Sequence, residues 1–565
     1  MEITAADVLW WEQKLEASDS AAVKRFYLSF TEDPATRAAA GGDAWCLAPA
    51  LGQPWELGRL LFLARVVAAD ERTLWECLGP RLREVFDHRV DGWNEQSAVK
   101  VVHQFLTDGV DAAARPVVAA LQETLHAHTA DHVKPLPDTP AVGGAPAAAR
   151  DELDGAVGIT DMQRGNDYSE GSIVCRRPLP PFATLLRLPR DRLFCVASVR
   201  QHSALGRAVA HCAALASLRE NEEAFLVLAL LYERDVAGAA SHWSALLQTC
   251  PPGYPTVPGF WPLSDLAELE GVDILDEVLQ RRAQLDDFQA QLGALLPLLL
   301  PALRAAGGPA DLTLERLAAV FATAPLQWAR ATFDSRAFRL NVDGQVVLAL
   351  VPVADMINHQ NRSDVLTRRV EPNGGDFVLE VGAALTDRDV GRELWMSYGP
   401  LQNWELLQYY GFVLPDNEHD KLPFPLGVDA LAESDDVWDR RRWQIISHYH
   451  LYDAGRCWIA RSGVPSAALR ALLRVLVAQA EEFDGMERDG PFAQLSPATE
   501  GTVRETLRQT VACVMDLFST TLEEDEEALL EMDETGTAAA DDSSQTNMRL
   551  CLELRSRPER IALAC

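Results

Sequence analysis

The distribution of apolar positions changes texture several times along the chain. From about Ile3 to His132 it is helical. Leu57, Leu60, Leu61 and Ala64 share one helix face, and Val101, Val102, Phe105 and Leu106 make a similar stripe. The segment Lys134-Pro135-Leu136-Pro137-Asp138-Thr139-Pro140, followed by Gly143, Gly144 and Pro146, is too rich in breakers to pack as a core element and predicts a linker. Beyond it, the runs Gly171–Cys175 and Thr184–Pro189 are short, apolar and bounded by breakers, which predicts strands. From Glu222 to about Val320 the spacing is helical again, interrupted by prolines and glycines between Cys250 and Pro262. A second β-rich block covers Phe338–Val353 and Asp376–Ser397, with turns at Asn341-Val342-Asp343-Gly344 and Pro372-Asn373-Gly374-Gly375. Helices dominate from about Asp429. The acidic run Glu523–Asp533 reads as a helix face with Leu529 and Leu530 pointing inward, and Thr535–Asn547 as a flexible loop. No fixed-period repeat is present. The β-containing unit is thus split in two by a helical insertion.

Composition narrows the classes. A chain of 565 residues exceeds one hydrophobic core, so about two to four domains are expected. The net charge of −32 argues against general nucleic-acid binding, leaves room for a local basic groove, and would attract a basic protein substrate. No apolar run reaches membrane-spanning length; Ala294–Ala306 comes closest, and Arg304 breaks its end. The N-terminus, Met1-Glu2-Ile3-Thr4-Ala5-Ala6-Asp7, lacks the features of a targeting peptide. Ten scattered cysteines without a CxxC pair suggest neither a zinc cluster nor a disulfide framework, which fits an intracellular setting, cytoplasmic or nuclear. His126-Ala127-His128 with His132 has loose ligand spacing, but no thiolate or carboxylate completes a set, so no metal is expected.

Candidate chemistry concentrates in two clusters. In Val351-Pro352-Val353-Ala354-Asp355-Met356-Ile357-Asn358-His359, an amide and an imidazole follow an apolar stretch; such a pair can bond a ligand, and equally often forms a satisfied core network. In Gly391-Arg392-Glu393-Leu394-Trp395-Met396-Ser397-Tyr398-Gly399-Pro400, a strand predicted over Glu393–Ser397 runs into a Gly-Pro turn. Tyr398 at its end is either a rigid hydrogen-bonding handle or a core tyrosine.

These clusters occur in register with others: Leu231-Tyr232-Glu233-Arg234, Ser241-His242-Trp243, Pro258-Gly259-Phe260-Trp261, Ala329-Arg330, Ser335-Arg336-Ala337-Phe338, Asn403-Trp404-Glu405 through Tyr410-Gly411-Phe412-Val413, and Asn417-Glu418-His419-Asp420. Together they resemble the SET family, in the branch of Rubisco large-subunit and ribosomal-protein lysine methyltransferases. Downstream, Leu473-Arg474-Val475, Leu495-Ser496-Pro497 with Glu500, and Ser519–Glu526 resemble that branch's helical substrate-binding domain. The resemblance runs from roughly Ile159 to the C-terminus.

The resemblance implies an α+β protein with a β-rich SET core split by a helical insert, between all-α N-terminal and C-terminal domains. The expected division is a helical region of unknown role over 1–133, a linker over 134–155, a SET domain over 156–427 with its insert at about 201–330, and a helical substrate-binding domain over 428–565. It implies S-adenosyl-L-methionine as cofactor, with Glu170, Gly171, Ser172, Arg336, Asn358, His359, Tyr398 and Phe412 around it. Tyr398 would sit beside the transferred methyl as the catalytic residue, and Phe338, Asp355 and Tyr410 would line the substrate side. The chemistry suits these residue types. Methyl transfer needs a neutral amine, whereas a free lysine has a pKa of about 10.4. Desolvation and a neighbouring sulfonium lower that value. No metal is required. The implied partner is a non-histone protein lysine, met by a monomer without nucleic acid or membrane.

Two departures accompany the resemblance. Where the family carries Gly-x-Gly, this chain has Ser169-Glu170-Gly171-Ser172, and Pro181-Phe182 replaces the Gly-Glu of the following turn. Two other readings therefore stand beside lysine methylation. One is a protein-histidine methyltransferase, although that sister branch carries an aromatic residue just before its Asp-x-x-Asn-His motif, where Ala354 stands here. The other is a catalytically weak SET-fold binding module, which the altered glycine loop favours.

Overall fold

The computed structural model describes residues 4–16, 18, 24, 56–69, 92–108, 121, 124–125, 157–160, 172–269, 274–342, 345–361, 366–371, 375–382, 384–415, 417–424, 427–452, 457–515, 520–534 and 543–564. Of the sequence features above, the linker, His126–His132, Glu170, Gly171 and the tips of both predicted turns lie outside the described residues, as does most of Thr535–Asn547. The chain divides into two compact units, Met1–Pro251 with Leu292–Tyr398, and Pro252–Gln291 with Gly399–Cys565.

In the first unit, helices α1 (Ala5–Glu16), α2 (Leu57–Ala68) and α3 (Gly92–Asp108) appear where the stripes predict them. Thr4 and Asp7 exchange backbone-to-side-chain bonds at the start of α1, which holds its first turn. Leu60, Leu61 and Ala64 of α2 and Val102, Phe105 and Leu106 of α3 close on Trp11 in one apolar cluster.

The β elements follow: β1 (Val157–Thr160), β2 (Ser172–Cys175) and β3 (Thr184–Leu188), and, after the helices α4 (Glu222–Tyr232), α5 (Ile274–Ala305) and α6 (Thr323–Arg336), the strands β4 (Phe338–Val342), β5 (Gln345–Ala349), β6 (Leu366–Val370) and β7 (Phe377–Val381). Strand β7 is the centre of an antiparallel sheet of order β3-β7-β6, while β1-β2 and β4-β5 are two-stranded ladders. All five residues of β7 are buried. Phe377, Leu379 and Val381 belong to the β core. Glu380, out of phase with them, meets His103 of α3 at 3.2 Å, so the N-terminal helices approach this strand. The turn before β3 makes a second link. Phe182 holds a left-handed φ of 62°, unusual for a bulky side chain, and its ring stacks on His103 at 3.9 Å.

The insert is helical as expected. Asn221 caps α4, whose apolar residues are buried from Phe225 to Tyr232 and which packs on α6. Helix α5 absorbs Pro297 and Pro301, and its last part, from Leu292 onward, belongs to the first unit. No helix among the described residues is long and apolar enough to cross a membrane.

The predicted Glu393–Ser397 strand is not a regular strand. This stretch is held by isolated bridges, Val174 to Glu393 and His359 to Met396, so it crosses between β2 and the Asn358–His359 segment instead of joining a sheet.

The second unit is mainly helical: α7 (Asn403–Tyr410), α8 (Val437–His448), α9 (Ala467–Val477), α10 (Pro497–Met515), α11 (Leu522–Glu534) and α12 (Ser543–Ala564). It is not wholly so, since β8 (Lys421–Pro423) pairs with β9 (Trp458–Ala460). Helix α7 ends at Gly411, φ 75°, where a Cβ would meet Thr256 Oγ1 at 2.3 Å. Family-like residues form buried ion pairs here. Arg474 meets Glu500 through two bonds of 2.7 and 3.1 Å, and its third nitrogen reaches the Phe492 carbonyl. On α11 the inward residue is Asp525, held by Arg555 at 2.6 and 2.8 Å. Leu530, expected inside, is 63% exposed, and Leu529 is half-buried.

Candidate functional site

The second β block leaves β5 and turns sharply. Val353 takes φ 69°, a left-handed conformation that a β-branched residue rarely adopts. A single 3-10 turn over Ala354–Met356 follows, which delivers Asn358 and His359 beside the 393–398 segment. The register is explicit: Met396 N–H donates to the Asn358 carbonyl at 3.0 Å, and Gln360 N–H to the Met396 carbonyl at 3.1 Å. In such a parallel bridge the N–H and C=O of His359 itself point to the opposite edge. On the other side of the crossing segment, Leu394 N–H donates to the Ile173 carbonyl at 2.7 Å. Ser172, fully buried, is the first residue of the strand that flanks this crossing.

The side chains lock one another. His359 Nδ1 accepts from the Tyr398 backbone N–H at 3.0 Å, so in the neutral ring Nε2 carries the proton and donates to Asn361 Oδ1, also at 3.0 Å. The Tyr398 ring stacks on the imidazole with centroids 4.9 Å apart, and its hydroxyl donates to the Ile357 carbonyl at 2.7 Å. With its single proton so committed, the phenolic oxygen faces anything else as an acceptor. Asn358 Nδ2 donates to the buried Glu393 at 2.6 Å.

Arg336, at the end of α6, reaches Asp355 Oδ2 at 3.2 Å. The Asp355 side chain is wholly buried and its Oδ1 makes no hydrogen bond. Burial pushes its carboxyl above the ordinary value, opposed by Arg336. Cys250 lies within reach of both charges, and burial pushes its thiol up to about 12. A buried acceptor lacking a partner next to an arginine is the chemistry of a polar ligand pocket.

Curated proteins and solved structures resemble this chain. Residues 420–561 match the family model for the Rubisco LSMT substrate-binding domain. A solved structure described as the SET domain of LSMT bound to MeLysine and AdoHcy superposes with a TM-score of 0.51 at 18% identity, covering 72% of this chain and 85% of that one. The chain has a SET fold. The ribosomal lysine N-methyltransferase set10 of Schizosaccharomyces pombe is 32% identical over 107 residues, 18% of each chain. An actin-histidine N-methyltransferase of Danio rerio is 26% identical over 249 residues, 44% of this chain and 36% of that one. These matches thus span well under two thirds of the curated relatives' length.

Within the SET fold, the structure brings together Asn358, His359 and Tyr398, and pairs Arg336 with Asp355. Phe338 is buried in the β core, 6.4 Å from the Phe377 ring and beneath the Arg368 guanidinium. Tyr410 and Phe412 belong to the second unit, with rings 6.2 Å apart. Glu170 and Gly171 lie outside the described residues. Glu393, Asn361 and Cys250 were not singled out from the sequence. Glu393 sat inside a quoted motif, yet only the chain crossing reveals that its carboxylate meets Asn358.

Asn403, quoted only as part of a motif, organises the second unit. Its amide and backbone donate to Asp420 at 2.8 and 2.7 Å, and Leu414 N–H donates to its Oδ1 at 2.7 Å. Burial pushes the Asp420 carboxyl up to about 6. Elsewhere in the first unit, ligand atoms of Asp191, His202 and His242 lie within 4.8 Å of one another. The two imidazoles are stacked 4.2 Å apart and 8° from parallel, so their in-plane lone pairs do not converge on one ion.

Proposed function

We propose that this chain is an S-adenosyl-L-methionine-dependent methyltransferase acting on a lysine of a non-histone protein. The observation that carries the reading is the Tyr398 hydroxyl, pinned to the Ile357 carbonyl beside a fixed His359. The cofactor supplies the methyl group. Asn358, His359, Arg336 and the backbone entering β2, including Ser172 and the preceding Glu170-Gly171, would hold it, and Asp355, whose Oδ1 has no hydrogen bond beside Arg336, would lie on the substrate side. Tyr398 presents an acceptor that orients an amine N–H without competing for its lone pair. Exclusion of water around that amine would favour its neutral form. Positioning of this kind supplies effective molarities of roughly 10⁵–10⁸ M.

The lysine assignment rests on the set10 and LSMT resemblance and on Ala354, which stands before Asp355 where the histidine-modifying branch carries an aromatic. The same reading includes a monomer without nucleic acid or membrane, in a cytoplasmic or nuclear setting favoured by the scattered cysteines. It also keeps a SET domain over 156–427 and a substrate-binding domain over 428–565, the latter supported by the family match from residue 420.

Incubating the protein with methyl-labelled cofactor and cell proteins, then locating the label by mass spectrometry, tests this. Label on a lysine Nζ is the expected result. Label on an imidazole nitrogen would make the histidine reading correct. Absence of both transfer and calorimetric cofactor binding would leave the binding-module reading.

A further inference from the structure

The N-terminal helices and the outer side of the SET sheet enclose a cavity of about 330 Å³ that contains none of Asn358, His359 or Tyr398. This is within the range of small-molecule sites, about 300–1,000 Å³. Its charge is the reverse of the chain's. Among the described residues that line it are Lys14 of α1, Lys100 of α3, Arg339 of β4, and Arg368 and Arg369 of β6, against one carboxylate, Glu380. The whole molecule carries −32, whereas the described lining residues comprise five cations and one acid.

We propose that this cavity binds a small phosphate-bearing anion, and that the N-terminal helices contribute part of the site. Three observations support it. First, the cations come from four separate elements and converge on one space. Second, the single acid is already engaged: Glu380 accepts from Arg369 at 3.1 Å and meets His103 Nε2 at 3.2 Å. Burial works against its charge, but these two partners hold its carboxyl below the ordinary value. Third, Arg369 keeps an unused donor: its Nε is buried and makes no hydrogen bond. Guanidinium forks suit phosphate oxygens, and three arginines line the space. Leu340, Leu366 and Val370 add apolar wall, which suits an organic phosphate more than a bare ion.

The docking is itself built for this. Phe182, in its left-handed turn, stacks on His103 and so fixes α3 against the sheet at the cavity's edge.

The test is calorimetric titration of the full chain with pyrophosphate, beside unfolding midpoints in pyrophosphate and in sodium chloride of equal ionic strength. Saturable binding and a midpoint rise beyond that in sodium chloride are expected. In Lys100→Ala/Arg339→Ala, affinity should fall at least about tenfold, with the ligand-free midpoint checking that the variant folds. Equal midpoints in pyrophosphate and sodium chloride would overturn the proposal. So would unchanged affinity in the double variant. Tighter binding of single-stranded RNA, lost in the same variant, would also overturn it by making the cavity part of a nucleic-acid surface.

Discussion

Two buried polar clusters, one in each unit, are satisfied to different degrees. In the second unit the residues around Arg474, Arg555 and Asn403 bond one another. Arg474 spends its donors on Glu500 and Phe492, Arg555 grips Asp525 with two bonds, and Asn403 is bonded through both its amide nitrogen and its oxygen. In the first unit the polar cluster stops one step short of closure. Asp355 retains an orphan oxygen beside Arg336. A saturated network rigidifies, whereas one with directed spare capacity can receive a ligand. Motif residues alone do not distinguish the two cases, because Arg474, Glu500 and Asn403 were as visible as family-like residues as Asp355 and Tyr398.

Breaking a closed network should have the largest effect. Arg474→Ala strands the Glu500 carboxylate and should lower the stability of the second unit by about 3–5 kcal/mol, read by chemical denaturation. A loss below about 1 kcal/mol would show that the pair is no more than a surface bridge.

The open cluster should respond in rate before stability. If the proposed function holds, Tyr398→Phe removes the oxygen proposed to orient the amine and should slow methyl transfer by about 10²–10³, roughly 2–4 kcal/mol in barrier. It also frees the Ile357 carbonyl, so unfolding free energy should fall by about 1 kcal/mol, and cofactor affinity should hold. Transfer at the parent rate would return Tyr398 to a core tyrosine.

The smallest effect sharpens the contrast within one helix. Leu530→Ser on α11 should shift stability by no more than about 0.5 kcal/mol, because the side chain is exposed. A loss of the size expected for a buried leucine would restore it to the inward face.

That last pair of residues marks where sequence reasoning stops. Helical periodicity located α2, α3 and the insert because their apolar faces have nothing to bury against except each other. On α11 periodicity chose Leu530, since it assigns apolar residues inward and has no means of knowing that Arg555 would draw Asp525 there instead. The strand at Glu393–Ser397 was misread for a related reason: an extended run between two partners looks like a strand, while its irregular bridging depends on residues distant in the chain. Asn358, His359 and Tyr398 were legible as a group because they recur in known order. Their partners Glu393 and Asn361, and the meeting of His103 with Glu380, needed the fold. The Pro181-Phe182 departure looked like a simple loss of glycine. In the structure Phe182 keeps a glycine-like φ and uses its ring to seat α3.

The crossing of residues 393–398 between Ile173 and Asn358 also governs when the site can exist. Its contacts join an early strand to a segment that follows the whole helical insert, so closing them has the entropic cost of a very long loop. Such non-local pairings form late and slowly. On the ribosome, the N-terminal helices and the insert can collapse while Asn358 and His359 still lack their neighbour. The site appears only after Tyr398 has emerged and threaded into place, so a chain arrested before that point has much of its core and none of its chemistry.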